Sequence, residues 1–336
     1  MKWLSRLRKR NKVAYASFWM LIILYLSAIL APVLSPYAFD LQKRKKSFCP
    51  PTKIHFREAN GTFHIRPFIY NYKKITFGKY VEDTSKPYFI HLFYRGKLFG
   101  VEEPAGIFLL GTDSFGRDIF SRLLSGGRIS LSVGLVGVFI SFLLGLLLGG
   151  ISGYYGGKLD FILMRITELV MAFPGFYLIL ALRAVFPVSL SSAQVYLLIV
   201  GILSFIGWAS LGRVIRGMVL SLREEDYVLA GQALGLSNFR IIWRHILPNT
   251  LSYTITAATL SIPGYILGES ALSLLGLGIQ EPIPSWGNML ATAVGNISMV
   301  VNYPWVLSSG FLIFIAVLAY NFLGDGLRDI FDPKNW

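Results

Sequence analysis

Long stretches without a charged residue alternate with short charged ones along most of this chain. Val13 to Phe39, Ile129 to Gly157, Ala184 to Gly212 and Leu247 to Gly268 carry none. A helix needs about 20 mostly apolar residues to cross a bilayer core. Lipid offers the backbone no hydrogen-bond partner, so segments of this length cross as helices. The pattern predicts six crossings, over residues 14–34, within 129–157, and over 163–183, 193–213, 250–271 and 305–324. The third is the least apolar, because it contains Arg165 and Glu168. The first uncharged run is longer than the apolar region of a cleavable signal, about 7–15 residues, and reads as a retained span.

The polar remainder has its own periodicity. KIHFREANGTFHIRPF holds two alternating runs around Asn60-Gly61, and Asn-Gly is a strong hairpin signal because both turn positions need positive φ. PYFIHLFYRGKLFGV predicts a second hairpin around Arg95-Gly96. Residues 37–110 thus read as a small β-rich insertion. In GTDSFGRDIFSRLLSGGRISL, Phe115, Ile119, Phe120, Leu123 and Leu124 share one helical face, while Asp113, Arg117, Asp118 and Arg122 lie off it. That predicts a short interfacial helix over 111–128, feeding into the second crossing.

Composition agrees with a membrane protein. The 336 residues are 54% hydrophobic and 15% charged, against roughly 25% charged in a soluble domain. A net charge of +14 could suggest nucleic acid, but its distribution excludes that reading. Lys2, Arg6, Arg8, Lys9, Arg10 and Lys12 precede the first span, and 13 further Lys and Arg lie between Lys43 and Lys97. The segments Phe186–Gln194 and Gly276–Tyr303 have no Lys or Arg, whereas Arg213, Arg216, Arg223, Arg240 and Arg244 surround the segment 213–248, and Arg328 and Lys334 lie in the tail. By the positive-inside rule both termini and the 213–248 loop are cytoplasmic. The 37–128 segment is outside, since long loops translocate largely regardless of charge.

Catalytic signatures do not appear. SGYYGGKL (152–159) departs from a phosphate loop at Ser152 and Leu159, so it lacks the first glycine and the metal-binding hydroxyl. His55, His64, His91 and His245 are scattered, no nucleophile elbow is present, and Cys49 has no second cysteine to pair with. The chain therefore reads as a non-enzyme that binds no cofactor or metal itself. Gly145, Gly149 and Gly153 recur every four residues, spacing that lets a second helix, of this chain or a partner, approach closely. Glu168 and Glu269 are the intramembrane carboxylates; each serves either structure or a transport path. For Glu168 the structural partner is Arg165. For Glu269 the structural role is capping the helix SALSLLGLG near the outer boundary or bonding a neighbouring helix end.

One charged stretch stands apart. REEDYVLAGQALGLSNFRIIWRHILPNT (223–250) separates two uncharged ones. Glu224, Glu225 and Asp226 sit where a helix begins, favouring its positive end. YVLAGQAL runs to Gly235, a natural stop, and Ser237 is placed to cap a second helix that meets Pro248 at the membrane. A connector needs only a few residues. A stiff helix–Gly–helix knob predicts a docking element.

This stretch resembles the cytoplasmic "EAA" loop of permease subunits of binding-protein-dependent ABC importers, E-A-A-x3-G-x9-I-x-L-P. Leu229, Ala230 and Gly231 take the first three places, Gly235 is the glycine, and His245, Ile246, Leu247 and Pro248 complete it. Leu229 replaces Glu, Gly231 replaces Ala and His245 replaces Ile. DYVLAGQALG…RHILPN, together with GTDSFGRDIFSRLLSGGRISLSVG, GYYGG, GESALSLLGLGI and LGDGLRDIFDP, resembles the dipeptide/oligopeptide/nickel branch. The resemblance covers 111–336 and the first span; the 40–105 insertion lies outside the usual short form. It implies an all-α, six-helix permease of the ABC type I importer kind. Residues 1–36 would be the basic tail and first helix, and 129–336 a five-helix core with its coupling loop at 213–248.

The resemblance further implies a heterodimer with a second permease subunit, two cytoplasmic ATP-binding subunits that use ATP and Mg, an extracytoplasmic solute-binding protein, and a bacterial or archaeal cytoplasmic membrane. Glu224, Glu225, Asp226, Tyr227, Ala230, Gly231, Gly235, Leu236, Arg240, His245, Leu247 and Pro248 would form the ATPase-docking loop. Peptides come first as cargo, with oligosaccharides and nickel as alternatives. An ion-coupled secondary transporter is the other class, and would show inverted repeats; none is visible in the sequence.

Overall fold

A computed structural model describes residues 2–76, 78–187 and 189–331. Lys334 and the last two residues of LGDGLRDIFDP lie outside the described residues. Helices α1 (Lys2–Arg10), α2 (Lys12–Ile29) and α3 (Ala31–Leu34) precede strands β1 (His55–Arg57), β2 (Phe63–Thr76), β3 (Lys79–Phe89), β4 (His91–Leu92) and β5 (Phe99–Gly100). Then come α4 (Ile119–Tyr155), α5 (Gly157–Ala172), α6 (Gly175–Ala184), α7 (Ser192–Leu222), α8 (Asp226–Ala233) and α9 (Asn238–Ile241). The chain continues through α10 (Leu247–Leu274), α11 (Trp286–Val294), α12 (Ile297–Asn302) and α13 (Ser308–Phe331).

Among the described residues, α2, α4, α7 and the stretch Pro304–Phe331 are long and apolar enough to cross a membrane. Helices α5 and α6 make a fifth such stretch, bent by 89°. The crossing expected over 163–183 is thus not one straight helix. Phe173 adopts extended backbone (ψ 136°) before Pro174, as the residue before proline prefers. Helix α10 is less apolar because it carries Thr250, Thr254, Thr256, Thr259 and Ser261, whose hydroxyls all donate to carbonyls one turn back. Their polarity is satisfied within the helix.

The described chain forms two compact units. One gathers the residues up to Leu21, Ser132–Glu269 and those from Ala316; the other gathers Ile22–Leu131 and Ser270–Ile315. In the first, helical unit, α4 lies against α7 through its glycine face. A Cβ on Gly149 would fall 2.4 Å from the Gly212 carbonyl oxygen, one on Gly153 2.7 Å from that of Arg216, and one on Gly145 2.9 Å from the Leu211 side chain. The partner of the glycine stripe is therefore within the chain. Asp160 ties α5 to this pair, accepting from Arg216 Nε at 3.0 Å and from the Ser152 hydroxyl. Tyr265 of α10 bonds the Ser141 hydroxyl, and a Cβ on Gly207 would collide with its phenol oxygen.

The second unit is mixed. Strands β1, β2 and β3 form an antiparallel sheet in that order, and β4 pairs with β5. At Asn60-Gly61, Gly61 takes φ +94° and the Thr62 amide donates to Asn60 Oδ1 at 3.0 Å. The long β2–β3 pairing has no counterpart in the sequence reading. Its register shifts between Tyr70 and Asn71, where Tyr70 faces Pro87; proline has no N–H to give the ladder. In its turn Gly78 has φ +72°, and a Cβ there would overlap the Tyr303 hydroxyl, so this end of the hairpin closes on Tyr303. Tyr303 in turn stacks on Phe48 at 4.2 Å. The core beneath contains Ile69, Val101, Ala105 and Ile107, with a second cluster of Cys49, Tyr72 and Phe108.

A separate interfacial helix over 111–128 is not what forms. Residues 111–118 make an irregular loop with a Thr112–Asp118 bridge, and α4 then runs unbroken from Ile119. Gly111 and Gly116 both have φ +73°, which bars helix there. The polar residues that lay off the presumed lipid face are instead drawn into ion pairs. Arg117 donates to Asp113 Oδ2 at 2.6 Å, and Arg122 donates to Glu281 Oε1 at 2.9 Å. Asp118 is buried and accepts from the Ser121 amide at 2.9 Å and from its hydroxyl through Oδ2, while Oδ1 has no partner.

Two outcomes follow from this packing. Gly149→Val drives a side chain into the α7 backbone and should destabilise the purified chain by about 1–3 kcal/mol or more. Gly217→Ala, where a Cβ meets nothing within 4 Å, should be neutral or stabilising; equal thermal midpoints for both would refute the close approach. The second concerns Asp118, whose carboxyl burial pushes up to about 6. A carboxyl raised on folding stabilises the fold below its unfolded value near 4, and that contribution is lost as pH rises through about 6. Stability should fall over that window by on the order of 2–3 kcal/mol relative to Asp118→Asn. Thermal unfolding of both proteins from pH 4 to pH 7 measures the difference, and parallel profiles would contradict it.

Candidate functional site: the 223–248 loop

The loop begins where α7 ends. Arg223 takes the C-cap position and its Nη1 donates to the Gly153 carbonyl of α4 at 3.3 Å. Glu224 is exposed and pairs loosely with Arg223 at 3.7 Å. Glu225 has N-cap backbone geometry but its side chain makes no capping bond, and Asp226 opens α8. These three carboxylates thus act through the field of the helix end rather than through a direct cap.

Helix α8 ends as the glycine predicts. The Leu236 amide donates to the Gly231 carbonyl at 3.1 Å and the Gly235 amide to that of Gln232 at 2.9 Å. With Gly235 at φ +74°, this is the double closure of a Schellman motif. Gly231 is buried, and a Cβ there would lie 3.5 Å from Leu236 and 3.9 Å from Ile241. Val228 is buried on the same face, while Tyr227 and Ala230 are exposed.

The second half meets Pro248 as the sequence suggests, but passes through it rather than ending there. Ser237 has N-cap backbone geometry without a side-chain capping bond. Helix α9 passes into a π-helical turn, Ile242–Ile246, and then directly into α10, with Pro248 in its first turn. Proline lacks an amide proton and its ring crowds the carbonyl four residues earlier; a wide π turn makes room for it. Asn249 Nδ2 donates to the His245 carbonyl at 2.7 Å and to the Tyr227 hydroxyl at 3.1 Å. His245 is half-buried, Leu247 is buried, and Arg240 is exposed. Residues 238–274 are therefore one continuous helical rod.

Tyr154, at the end of α4, fixes the two halves to each other. Its hydroxyl donates to Asn238 Oδ1 at 3.0 Å and accepts from Gln232 Nε2 at 3.4 Å. Beside it lies an open concavity of about 690 Å³ lined by Tyr155, Arg223, Glu224 and Leu229. The outer face is apolar: Leu234 is 82% and Phe239 73% exposed, and Phe239 stacks on the exposed Trp243 at 6.2 Å. Sequence reasoning missed Tyr154, Leu234, Phe239 and Trp243. For Leu234, Phe239 and Trp243 the available signal was large apolar or aromatic side chains in a charged, helix-forming loop; Tyr154, distant in sequence, offered none.

The remaining candidates lie elsewhere. Glu168 is paired with Arg165 at 2.6 Å on a partly exposed stretch of α5. Glu269 is fully buried, but α10 runs unbroken through Pro263-Gly264 to Leu274. It therefore sits inside a helix and cannot cap one that starts after it. SGYYGGKL is the corner between α4 and α5, with Gly156 at φ +66° and Gly157 at φ +57°, not a strand–loop–helix cradle. Among the described residues no group of three or more His, Cys, Asp or Glu is placed to hold a metal.

Comparison with known proteins locates this loop within a matched family segment. Residues 145–336 match the family described as binding-protein-dependent transport system inner membrane component, and residues 4–51 match the N-terminal TM domain of oligopeptide transport permease C. The chain is 33% identical over 328 residues to the dipeptide transport system permease protein DppC of Bacillus subtilis (strain 168), covering 97% of this chain and 83% of that one. It is 43% identical over 235 residues to the protein of the same name from Alkalihalophilus pseudofirmus, covering 70% of this chain and 74% of the other. It is 40% identical over 257 residues to the oligopeptide transport system permease protein OppC of Haemophilus influenzae, covering 75% and 80% respectively. With a family match over more than half its length and a relative aligned almost end to end, this chain belongs to the binding-protein-dependent transport system inner membrane components.

Proposed function

We propose that the chain is the non-catalytic, membrane-spanning permease subunit of an ATP-driven peptide importer, and that the 223–248 loop couples it to cytoplasmic ATPases. The observation that carries this is an exposed apolar knob continuous with a membrane-length rod. Leu234, Phe239 and Trp243 present an unburied face, and the helix beginning at Asn238 continues without a stop through α10. A force applied at the knob reaches α10 without crossing a flexible joint. Peptide cargo is supported by the names of the relatives, which are dipeptide and oligopeptide transport permeases.

In this reading α10 is a sixth crossing, beside the four single spans and the bent α5–α6 pair. Both termini and the loop face the cytoplasm, and the β-rich insertion faces out. A second permease subunit completes the path, two ATP-binding subunits that use ATP and Mg sit beneath, and a solute-binding protein delivers cargo from outside. ATP-driven closure of the ATPases supplies the contact-energy difference between two states that coupling demands.

Gly235 provides the test. A β-branched residue at φ +74° is strained by about 1–3 kcal/mol, whereas Asn tolerates that region, and no atom within 4 Å would oppose a Cβ there. In the complex reconstituted with its partners, Gly235→Val should lower binding-protein-stimulated ATP hydrolysis and peptide uptake severalfold, while Gly235→Asn keeps most of both. Undiminished coupling in the valine variant would count against the loop as coupling element.

A further inference from the structure

The hairpin formed by β4 and β5 stands at the end of the first membrane helix. The last carbonyls of α2 are closed by Arg128, whose Nε donates to Ala28 and Nη2 to Ile29, both at 2.7 Å. Just beyond, the Leu98 amide donates to the Val33 carbonyl at 2.8 Å, and Lys97 Nζ to the Pro32 carbonyl at 2.7 Å. The Phe93 amide donates back to the Leu98 carbonyl at 2.8 Å. The hairpin is thus pinned within a few residues of the point where α2 leaves the apolar layer.

Its tip has the wrong chemistry for water. Leu92 is 73% and Phe93 78% exposed, and neighbouring Ile29, Leu30 and Val33 are exposed too. Phe93 (φ +53°) and Arg95 (φ +49°) both hold left-handed backbone, an uncommon region for bulky residues that persists only when the surroundings fix it. Behind the tip is a concavity of about 270 Å³ lined by Tyr37, Lys43, Tyr94, Arg95, Lys97 and Glu103. Lys43 Nζ lies 4.2 Å over the Tyr37 ring and the Arg95 guanidinium 5.2 Å from the Tyr94 ring. Three cations and Glu103 line it, and Asp118 lies within electrostatic reach of Lys43 behind it, so the site keeps a positive balance that favours an anion. Aromatic rings with apolar neighbours and Lys or Arg behind them are the composition of a membrane–water boundary, and a guanidinium matches two phosphate oxygens at once.

From this placement we infer that the 91–100 hairpin anchors the protein to the bilayer surface, with Leu92 and Phe93 inserted among the acyl chains and Arg95, Lys97 and Lys43 holding the phosphate of an anionic phospholipid headgroup. This goes beyond the importer reading and requires only that α2 spans the membrane. It gives the basic insertion a second attachment to lipid, separate from the helices.

The test uses the complete complex in nanodiscs of phosphatidylcholine with or without phosphatidylglycerol. A spin label is placed through Phe93→Cys, or through Leu92→Cys if the first variant assembles poorly. Native Cys49 is buried, and burial pushes its thiol up to about 12, so it stays unlabelled. Labels at 93 and 92 should be more accessible to oxygen than to a water-soluble nickel complex, while a label at Ile65, 91% exposed on the sheet, should show the reverse. Arg95→Gln with Lys97→Gln should reduce co-purifying phosphatidylglycerol on the order of thirtyfold. Three results would overturn the inference: aqueous accessibility at 92 and 93, protection there only after a soluble partner protein is added, or phosphatidylglycerol retention unchanged by the double substitution.

Discussion

Helices α4 and α7 can lie together only because three glycines on one face leave no Cβ in the way, and the 223–248 loop depends on that contact. With a Cβ on Gly149 barred by the Gly212 carbonyl, the register of the two helices is fixed along several turns. Fixed register sets where each helix ends. Tyr154, one residue from the end of α4, then reaches Gln232 and Asn238 in the loop, and Arg223 at the end of α7 reaches back to Gly153. In a membrane, where apolar side chains gain little by leaving lipid, such backbone-close packing is the main source of helix association. The loop is held by the same contact that holds the helices.

This arrangement leaves the loop stiff at its Gly235 corner and bare on its outer apolar face. The Schellman closure at Gly235 and the shared Tyr154 hydroxyl hold the two halves at a set angle. The π turn before Pro248 lets the second half continue into α10 instead of stopping. Leu234, Phe239 and Trp243, by contrast, have little to pack on. Burying large apolar side chains contributes about 1.5–3 kcal/mol each, which suffices for docking without permanent capture. The Asp160–Arg216 pair adds α5 to the same rigid group.

The sequence made some of this legible and hid the rest for identifiable reasons. The uncharged runs exposed α2, α4, α7 and α13, because lipid demands long apolar stretches whatever the neighbours. The glycine spacing and the Gly235 stop were legible because each reflects a local backbone requirement. The break at Phe173-Pro174 was signalled by the proline but outweighed by apolar periodicity. The β2–β3 pairing was not legible, since adjacent charges at Lys73-Lys74 and Glu82-Asp83 break the alternation and Pro67 and Pro87 fall within the strands. In 111–128, apolar spacing suggested a surface helix, but ion pairs with Glu281, more than 150 positions away, decide where Arg117 and Arg122 lie. Tyr154 was invisible as a site residue because its role depends on where a helix ends in space.

If the exposed face of the 223–248 loop is the surface on which the ATPases act, as proposed, a photoreactive amino acid at Leu234 in the intact complex should form an adduct with an ATP-binding subunit, and its yield should change when ATP is bound without hydrolysis. Adducts with lipid alone, or with the solute-binding protein, would contradict it.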